Sequence, residues 1–333
     1  MALSKLLLIR LSSAGDVLLT SPLLRVIKQS KPDTKIHFVV KAQYLDLIQY
    51  NPNIDAVHLV QENSDLYQLE SLRRELLRQE FDTTLDLHNN FRSVYLRRGT
   101  SKEIRVINKE LLKRLLLVKT KMNFFSCVRP TALKYAQVYD SALTDVPQPE
   151  IFFDDQVKRM RSIWESISTV AARSAFLCPG ARHFTKRWPV DYWIDLSRKL
   201  GEKVQVVLIG GDADVESCRK IQRETTCLNF CGRFSLLESA AMLSFADVVV
   251  TNDSFLMHAA NAVGKKIVAI FGSAVREFGF FPYKVEHRVM EVDGLNCRPC
   301  SHIGRESCPK GHFKCMAETK PEAVYRATME LLG

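Results

Sequence analysis

The stretch LIRLSSAGDVLLTSPLLRVIK, residues 8–28, decides how the sequence is read. The apolar run at 6–9 has strand length and no polar alternation, the pattern of a strand covered on both faces. Ser12, Ser13, Ala14, Gly15 and Asp16 make the bend, and Val17, Leu18 and Leu19 open a helical pattern that continues through about 20–30. A strand running through a small-residue bend into a helix is the first half of a βαβ unit, and here the bend projects a carboxylate. Asp16 either does no more than favour the positive end of a helix, worth about 0.3–1 kcal/mol, or serves as a general base at a site edge. In the second reading Gly15 permits close approach, and Ser12 and Ser13 orient the hydroxyl whose proton is taken.

Working outward, apolar runs at 6–9, 36–40, 56–60 and 83–87 alternate with helical periodicity at about 20–30, 43–50 and 64–79. A second series has runs at 175–178, 204–209, 247–251 and 267–271, with helical stretches at about 189–200, 212–225, 235–244 and 254–263. Between them LTDVPQPEIFFDD breaks both patterns near 145–153. The expected fold is α/β, with two Rossmann-like domains of parallel sheet, 1–150 and 151–333, facing across a cleft. Ligands of such sheets bind beyond the carboxyl ends of the strands. A last helix, about 320–331, suits either domain.

The 333 residues are 46% apolar and 25% charged, an ordinary globular composition. MALSKLLLIRLSS is too short for a membrane span and lacks a signal-peptide pattern, so a cytoplasmic protein is expected. Nine cysteines, an odd number scattered over a long chain, point to reduced thiols. The net charge of +10 is uneven: between 92 and 129, eleven Lys/Arg face two Glu. Beyond a merely solvated helical face, that density implies an anionic partner: nucleic acid, a phosphorylated sugar-lipid or an anionic membrane surface. Nucleic acid is disfavoured, because no aromatic residues interleave with the cations and no binding motif appears.

Three later segments carry chemistry. In PGARHFTKRWP, Lys186 and Arg187 lie between a strand end and Pro189 at a helix start, placed to bind nucleotide phosphates or simply solvated. In TNDSFLMHAANAVGKKIVAIFGS, Asp253 and Ser254 lead into a helix whose free N–H groups can hold a diphosphate, and His258 shares the face of Ser254. Capping alone also explains Asp253 and Ser254. In CRPCSHIGRESCPKGHFKCM, Cys297, Cys300, Cys308 and Cys315, with His302 and His312 nearby, are enough ligands for zinc. The second C-x-x-C of a zinc ribbon is missing, which favours a packed, reduced loop. There is no G-x-x-x-x-G-K-[ST] loop and no clean G-x-G-x-x-G after the first strand.

These segments, with LDLHNNFRS and LIGGDADVE, occur in an order that resembles glycosyltransferase family 9, the ADP-heptose:lipopolysaccharide heptosyltransferases, from about residue 6 to 324. The resemblance implies a GT-B architecture with the acceptor on the first domain and the nucleotide-sugar on the second. It implies Asp16 as catalytic base and Lys186 as diphosphate ligand, with Arg187 beside it. Asp253, Ser254 and His258 become nucleotide and sugar contacts, and Glu216 an acidic residue near the ribose. On the acceptor side it points to Ser12, Ser13, Asn90 and Arg92. The family usually has Gly where this chain has Phe255, whose ring must turn from the phosphates or partly fill the pocket. The expected activity is inverting transfer of a heptose from an ADP-sugar co-substrate to a lipopolysaccharide inner core or other anionic glycolipid, with peripheral contact to the inner membrane. No metal and no obligatory cofactor is expected: Asp212-Ala213-Asp214 opens a helix and suits a ribose better than a cation. The alternatives are a family 9 transferase using another nucleotide-sugar and a catalytically silent nucleotide-sugar-binding protein.

Overall fold

Strand β1 (Lys5–Ile9) buries Leu6, Leu7, Leu8 and Ile9 completely, which explains why its sequence does not alternate. Burying each such side chain is worth about 1.5–3 kcal/mol. The computed structural model describes residues 4–168 and 173–333. β1 is the middle of a parallel sheet with β2 (Lys35–Lys41), β3 (Ala56–Val60), β4 (Phe81–Asp86) and β5 (Ser101–Val106), in the order β3-β2-β1-β4-β5. Leu7 lies opposite His37 on one side and Thr84 on the other. The chain order reverses between β1 and β4, so their carboxyl ends form the crevice where such sheets take ligands.

The second sheet contains β6 (Ser174–Cys178), β7 (Gln205–Leu208), β8 (Leu228–Asn229), β9 (Val248–Asn252), β10 (Lys266–Ile270) and β11 (His287–Met290), in the order β11-β10-β9-β6-β7-β8. All its pairings are parallel, and its order reverses between β6 and β9. Leu177, Leu208, Val250 and Ile270 pack there with Trp193 of the helix Val190–Gly201. The helix Pro321–Leu332 lies on this unit, against β9, β10 and Val190–Gly201, and buries Val324 and Leu331.

The structure departs from the sequence reading in several places. Strands β5, β8 and β11, not foreseen, are three of the four sheet edges, where one rim is unpaired and a continuous apolar run is not required. The stretch expected to be helical at 43–50 is a 3₁₀ turn, Ala42–Leu47. The chain groups into one unit of Met1–Lys109 with Thr131–Phe152 and another of Glu110–Pro130 with Phe153–Gly333. One of the boundaries between the units falls at Phe152 and Phe153. The excursion Glu110–Pro130 does not belong with the first 150 residues, because it is tied to the second unit: Arg114 lies over the Phe278 ring, and Asn123 Nδ2 donates to Glu277 Oε1 at 2.8 Å. Finally, Cys218 and Cys231 form a disulfide across 6.5 Å between Cα atoms, correcting the expectation that all nine thiols are reduced.

The basic stretch is also not one open patch. Arg97 pairs with Asp86, Arg105 with Glu103, and Arg129 with Glu110, and the stretch divides between the two units. No helix among the described residues is long and apolar enough to cross a membrane.

Candidate active site

At the carboxyl end of β1 the bend enters a short helix, Ala14–Leu18, that carries Asp16 in its first turn. Four groups hold the carboxylate. Arg10 Nη2 lies 2.7 Å from Oδ1, and the Tyr135 hydroxyl donates to the same oxygen at 2.8 Å. Ser13 donates its N–H (3.2 Å) and its hydroxyl (2.7 Å) to Oδ2. Asp16 keeps 15% of its side chain exposed. Burial pushes its carboxyl up, but the Arg10 charge and the hydrogen bonds from Ser13 and Tyr135 outweigh it and hold it down at about 2. Asp16 is therefore a permanently ionised carboxylate in a half-desolvated setting. Arg10 is itself fixed, donating to the Leu87 carbonyl and lying over the Tyr135 ring. Ser12 precedes this cluster in the same bend, half-buried.

The end of β4 adds a second loop to this crevice. Asp86, fully buried, receives the N–H groups of His88 and Asn89 at 2.9 and 2.7 Å, the Ser93 hydroxyl at 2.9 Å and Arg97 at 2.7 Å. That carboxylate folds LDLHNNFRS into a fixed turn. His88 leaves it under the influence of Arg10 and Asp16. Burial first, then the positive charges of Arg10 and Lys109, lowers its imidazole to about 4, so the ring is neutral near pH 7. Asn90 caps the helix Phe91–Arg97, accepting the Ser93 N–H at 2.9 Å, and Arg92 is half-buried. Of the residues singled out on this unit, Ser13 and Asp16 meet directly. Asn90 has a clear structural task, and Arg10, His88 and Tyr135 are new members.

In the second unit the ends of β6 and β9 are tied together by Asn252, whose Oδ1 accepts the Trp188 N–H at 3.2 Å and whose amide donates to the Pro179 carbonyl at 2.6 Å. This brings the PGARHFTKRWP loop beside the TNDS junction. Lys186 Nζ then lies 2.7 Å from Asp253 Oδ2, off the line of a directed hydrogen bond, so the contact is an ion pair between two largely buried groups. Ser254 opens the helix Phe255–Ala262 in extended conformation, and its buried hydroxyl makes no hydrogen bond. Phe255 occupies the first helical position, half-buried. His258 is buried, its ring edge-on to Phe280 with centroids 6.2 Å apart. Arg187 is held back by its own loop, donating from Nε to the Ala181 carbonyl at 2.6 Å.

Beyond β7, Glu216 is exposed in the first turn of Val215–Arg223. Asp214 is the carboxylate that reaches the Pro179-Gly180 turn. It accepts the Gly211 N–H at 3.0 Å and packs so closely that a Cβ on Gly180 would fall 2.1 Å from Asp214 Oδ2. Gly180 is thus required by contact, not by backbone angle.

The cysteine loop buttresses the Lys186 loop. Thr185 N–H donates to the Arg305 carbonyl at 3.1 Å, Arg305 N–H returns to Thr185 Oγ1 at 2.8 Å, and His183 Nδ1 lies 2.9 Å from Glu306. Cys297, Cys300, Cys308 and Cys315 line a small cavity with Thr185 and Ser273. Among the described residues no group of three or more His, Cys, Asp or Glu is placed to hold a metal ion.

Comparison with known proteins agrees with this layout. The pattern of the family described as Glycosyltransferase family 9 (heptosyltransferase) matches residues 69–310, more than half of the chain. Lipopolysaccharide heptosyltransferase 2 of Salmonella typhimurium is 26% identical over 360 aligned residues, covering 99% of this chain and 99% of its own. Among solved structures, a family 9 glycosyl transferase from Veillonella parvula superposes with a TM-score of 0.83 at 22% identity, covering 99% of this chain and 97% of its own. The E. coli ADP-heptose lps heptosyltransferase II does so with a TM-score of 0.75 at 21% identity, covering 98% of each chain. With two parallel α/β units of the GT-B kind and a family pattern spanning both, the chain belongs to glycosyltransferase family 9 and is a glycosyltransferase.

Proposed function

We propose that this transferase moves a heptose from ADP-heptose to the inner core of lipopolysaccharide, with inversion at the anomeric carbon. The names of its relatives support the sugar and the acceptor class. The observation that carries the chemistry is the environment of Asp16, an ionised carboxylate clamped by Arg10, Ser13 and Tyr135 at the sheet's switch point. In the reaction the acceptor hydroxyl oxygen bonds to the anomeric carbon while the bond from that carbon to the diphosphate oxygen breaks. The hydroxyl proton passes to Asp16, and ADP departs from the opposite face.

A carboxylate whose pKa is about 2 is a weak base toward a free hydroxyl. It becomes an adequate one only as the oxygen gains positive character in the transition state, so proton transfer lags bond formation and wasteful ionisation of the free acceptor is avoided. The charge growing on the departing diphosphate falls to Lys186, the Ser254 hydroxyl and the adjacent helix start, which stabilise it electrostatically. This reading assigns the donor to the second unit and the acceptor to the first, and it needs no metal or other cofactor. Because the acceptor is a lipid-anchored, phosphorylated glycolipid, the reaction takes place beside an anionic membrane.

The test is a donor panel with a heptose-deficient core acceptor, scored by ADP or other nucleoside diphosphate release and by the anomeric configuration of the product. ADP-heptose should turn over at least tenfold faster than the other donors. Turnover of a different nucleotide-sugar would reassign the donor. Donor binding without turnover on every acceptor would favour the silent binding protein, the reading that Phe255 encourages.

A further inference from the structure

The excursion grouped with the second unit presents an apolar surface that is left exposed among the described residues. In the helix Leu111–Thr120, Leu111, Leu112 and Leu115 are 63%, 68% and 53% exposed, and Met122 and Phe124 just beyond it are 54% and 49% exposed. Leu111 and Leu115, four residues apart, share one row of the helix with Leu112 beside them. Leu117 turns inward, and Arg114 lies over Phe278, so the apolar row is the outward face of an anchored helix. Lys121 secures its end by donating to the carbonyl of Pro299 at 2.6 Å. Side chains so placed form a patch rather than the scattered exposed residues any surface has.

Charge identifies the occupant. Five Lys/Arg and one Glu lie within 110–130, with Lys119 and Lys121 exposed at the edge of the patch, on a chain of net charge +10. A second copy offering the same face would bring like charges together, whereas an anionic surface complements them. Ten residues rise about 15 Å, half the thickness of a bilayer core, so the helix can lie in a membrane surface but not span it. We propose that residues 110–130 form a membrane-docking element, with Leu111, Leu112 and Leu115 entering the headgroup layer of an anionic bilayer while the exposed Lys119 meets lipid phosphates. This deepens the functional reading given above, and rests on it only for the reason the enzyme visits a membrane. It also moves the contact from the first unit, where the basic stretch had been expected to act, to the second.

The experiment uses the full chain and vesicles without acceptor. Sedimentation should show binding to phosphatidylglycerol-containing vesicles and little to pure phosphatidylcholine. L112E/L115E should weaken binding at least tenfold while transfer to a lipid-free, water-soluble core acceptor stays within twofold of the unmodified chain. A Leu112→Trp reporter should be quenched by brominated lipids, which shows insertion even if the double variant folds poorly. Equal binding of L112E/L115E, no sedimentation with anionic vesicles, or a dimer that L112E/L115E dissolves in the absence of lipid would each overturn the proposal. Loss of vesicle binding with normal transfer to the soluble acceptor would leave the heptosyltransferase reading untouched.

Discussion

Arg10 and Asp16, six residues apart on either side of the first bend, meet at 2.7 Å with both side chains largely buried, 10% and 15% exposed. The strand end supplies the cation and the helix start the anion, so the bend has one geometry in which both are satisfied. Asp16→Asn keeps the shape and removes the charge. We expect turnover to fall by about 10²–10⁴-fold, the usual worth of a general base, with ADP-heptose affinity, measured by calorimetry, within threefold of the unmodified chain. Near-normal turnover would remove Asp16 from the mechanism. Some loss of stability is expected as well, because Arg10 is left buried beside a neutral amide.

The hydrogen bonds around Asp16 make a second, separable prediction. Burial raises this carboxyl and the Arg10 charge, Ser13 and Tyr135 lower it, with the lowering groups ahead. With the group at about 2, kcat/KM should show no acid-side loss from Asp16 down to about pH 4. Removing two of the donors in S13A/Y135F hands the advantage to burial, so an acid limb should rise into the measurable range. In the linkage sense, a depressed folded pKa adds stability that is present above the unfolded value of 3.8 and lost as pH falls toward 2, and the double variant should lose that margin. An unchanged pH profile would show that these donors do not tune the base.

The interior strand β1 was legible because burial on both faces leaves an unbroken apolar run at 6–9, while the edges β5, β8 and β11 were not, because one rim needs no such run. Asp16, Lys186, Asp253 and Ser254 could be singled out for a related reason: each lies in a segment that follows a strand's carboxyl end, a place that sequence order reveals. Tyr135 could not be found that way, since it reaches Asp16 across 119 positions from a helix with no motif of its own. Arg10, just past the apolar run, carries no motif of its own, and only its contact with Asp16 shows it to be the counter-ion. The disulfide was hidden because Cys218 and Cys231, thirteen apart, meet only once a helix and a turn are packed.

His88 invites a titration. Burial and the positive charges of Arg10 and Lys109 lower its imidazole to about 4, and His37, 2.9 Å from His58, is also lowered to about 4 by burial and that neighbour. Both folded values lie below the ordinary 6.5, so the unfolded chain binds more protons between pH 6.5 and 4. Stability is then full above pH 6.5 and declines as pH falls toward 4. Thermal melts across that window should slope less for His88→Gln, with the remainder lost in the variant that also carries His37→Gln. A slope indifferent to both substitutions would place the acid sensitivity elsewhere.

Lys186 and Asp253 allow structure and ligand binding to be told apart. Their contact is 2.7 Å, and Asp253 has only 5% of its side chain exposed. Lys186→Ala leaves that carboxylate buried without its counter-charge, which should cost about 3–5 kcal/mol of stability in urea unfolding. If Lys186 also holds the donor diphosphate, the same variant should bind ADP-heptose about 10–100-fold more weakly, the worth of one hydrogen bond to a charged group. Adding Asp253→Asn removes the stranded charge, so K186A/D253N should regain much of the stability while donor affinity stays low. Recovery of both together would mean that Lys186 acts on the donor only through the fold. Donor affinity unaffected by Lys186→Ala would exclude the lysine as a phosphate ligand and leave Ser254 and the helix start to carry the diphosphate.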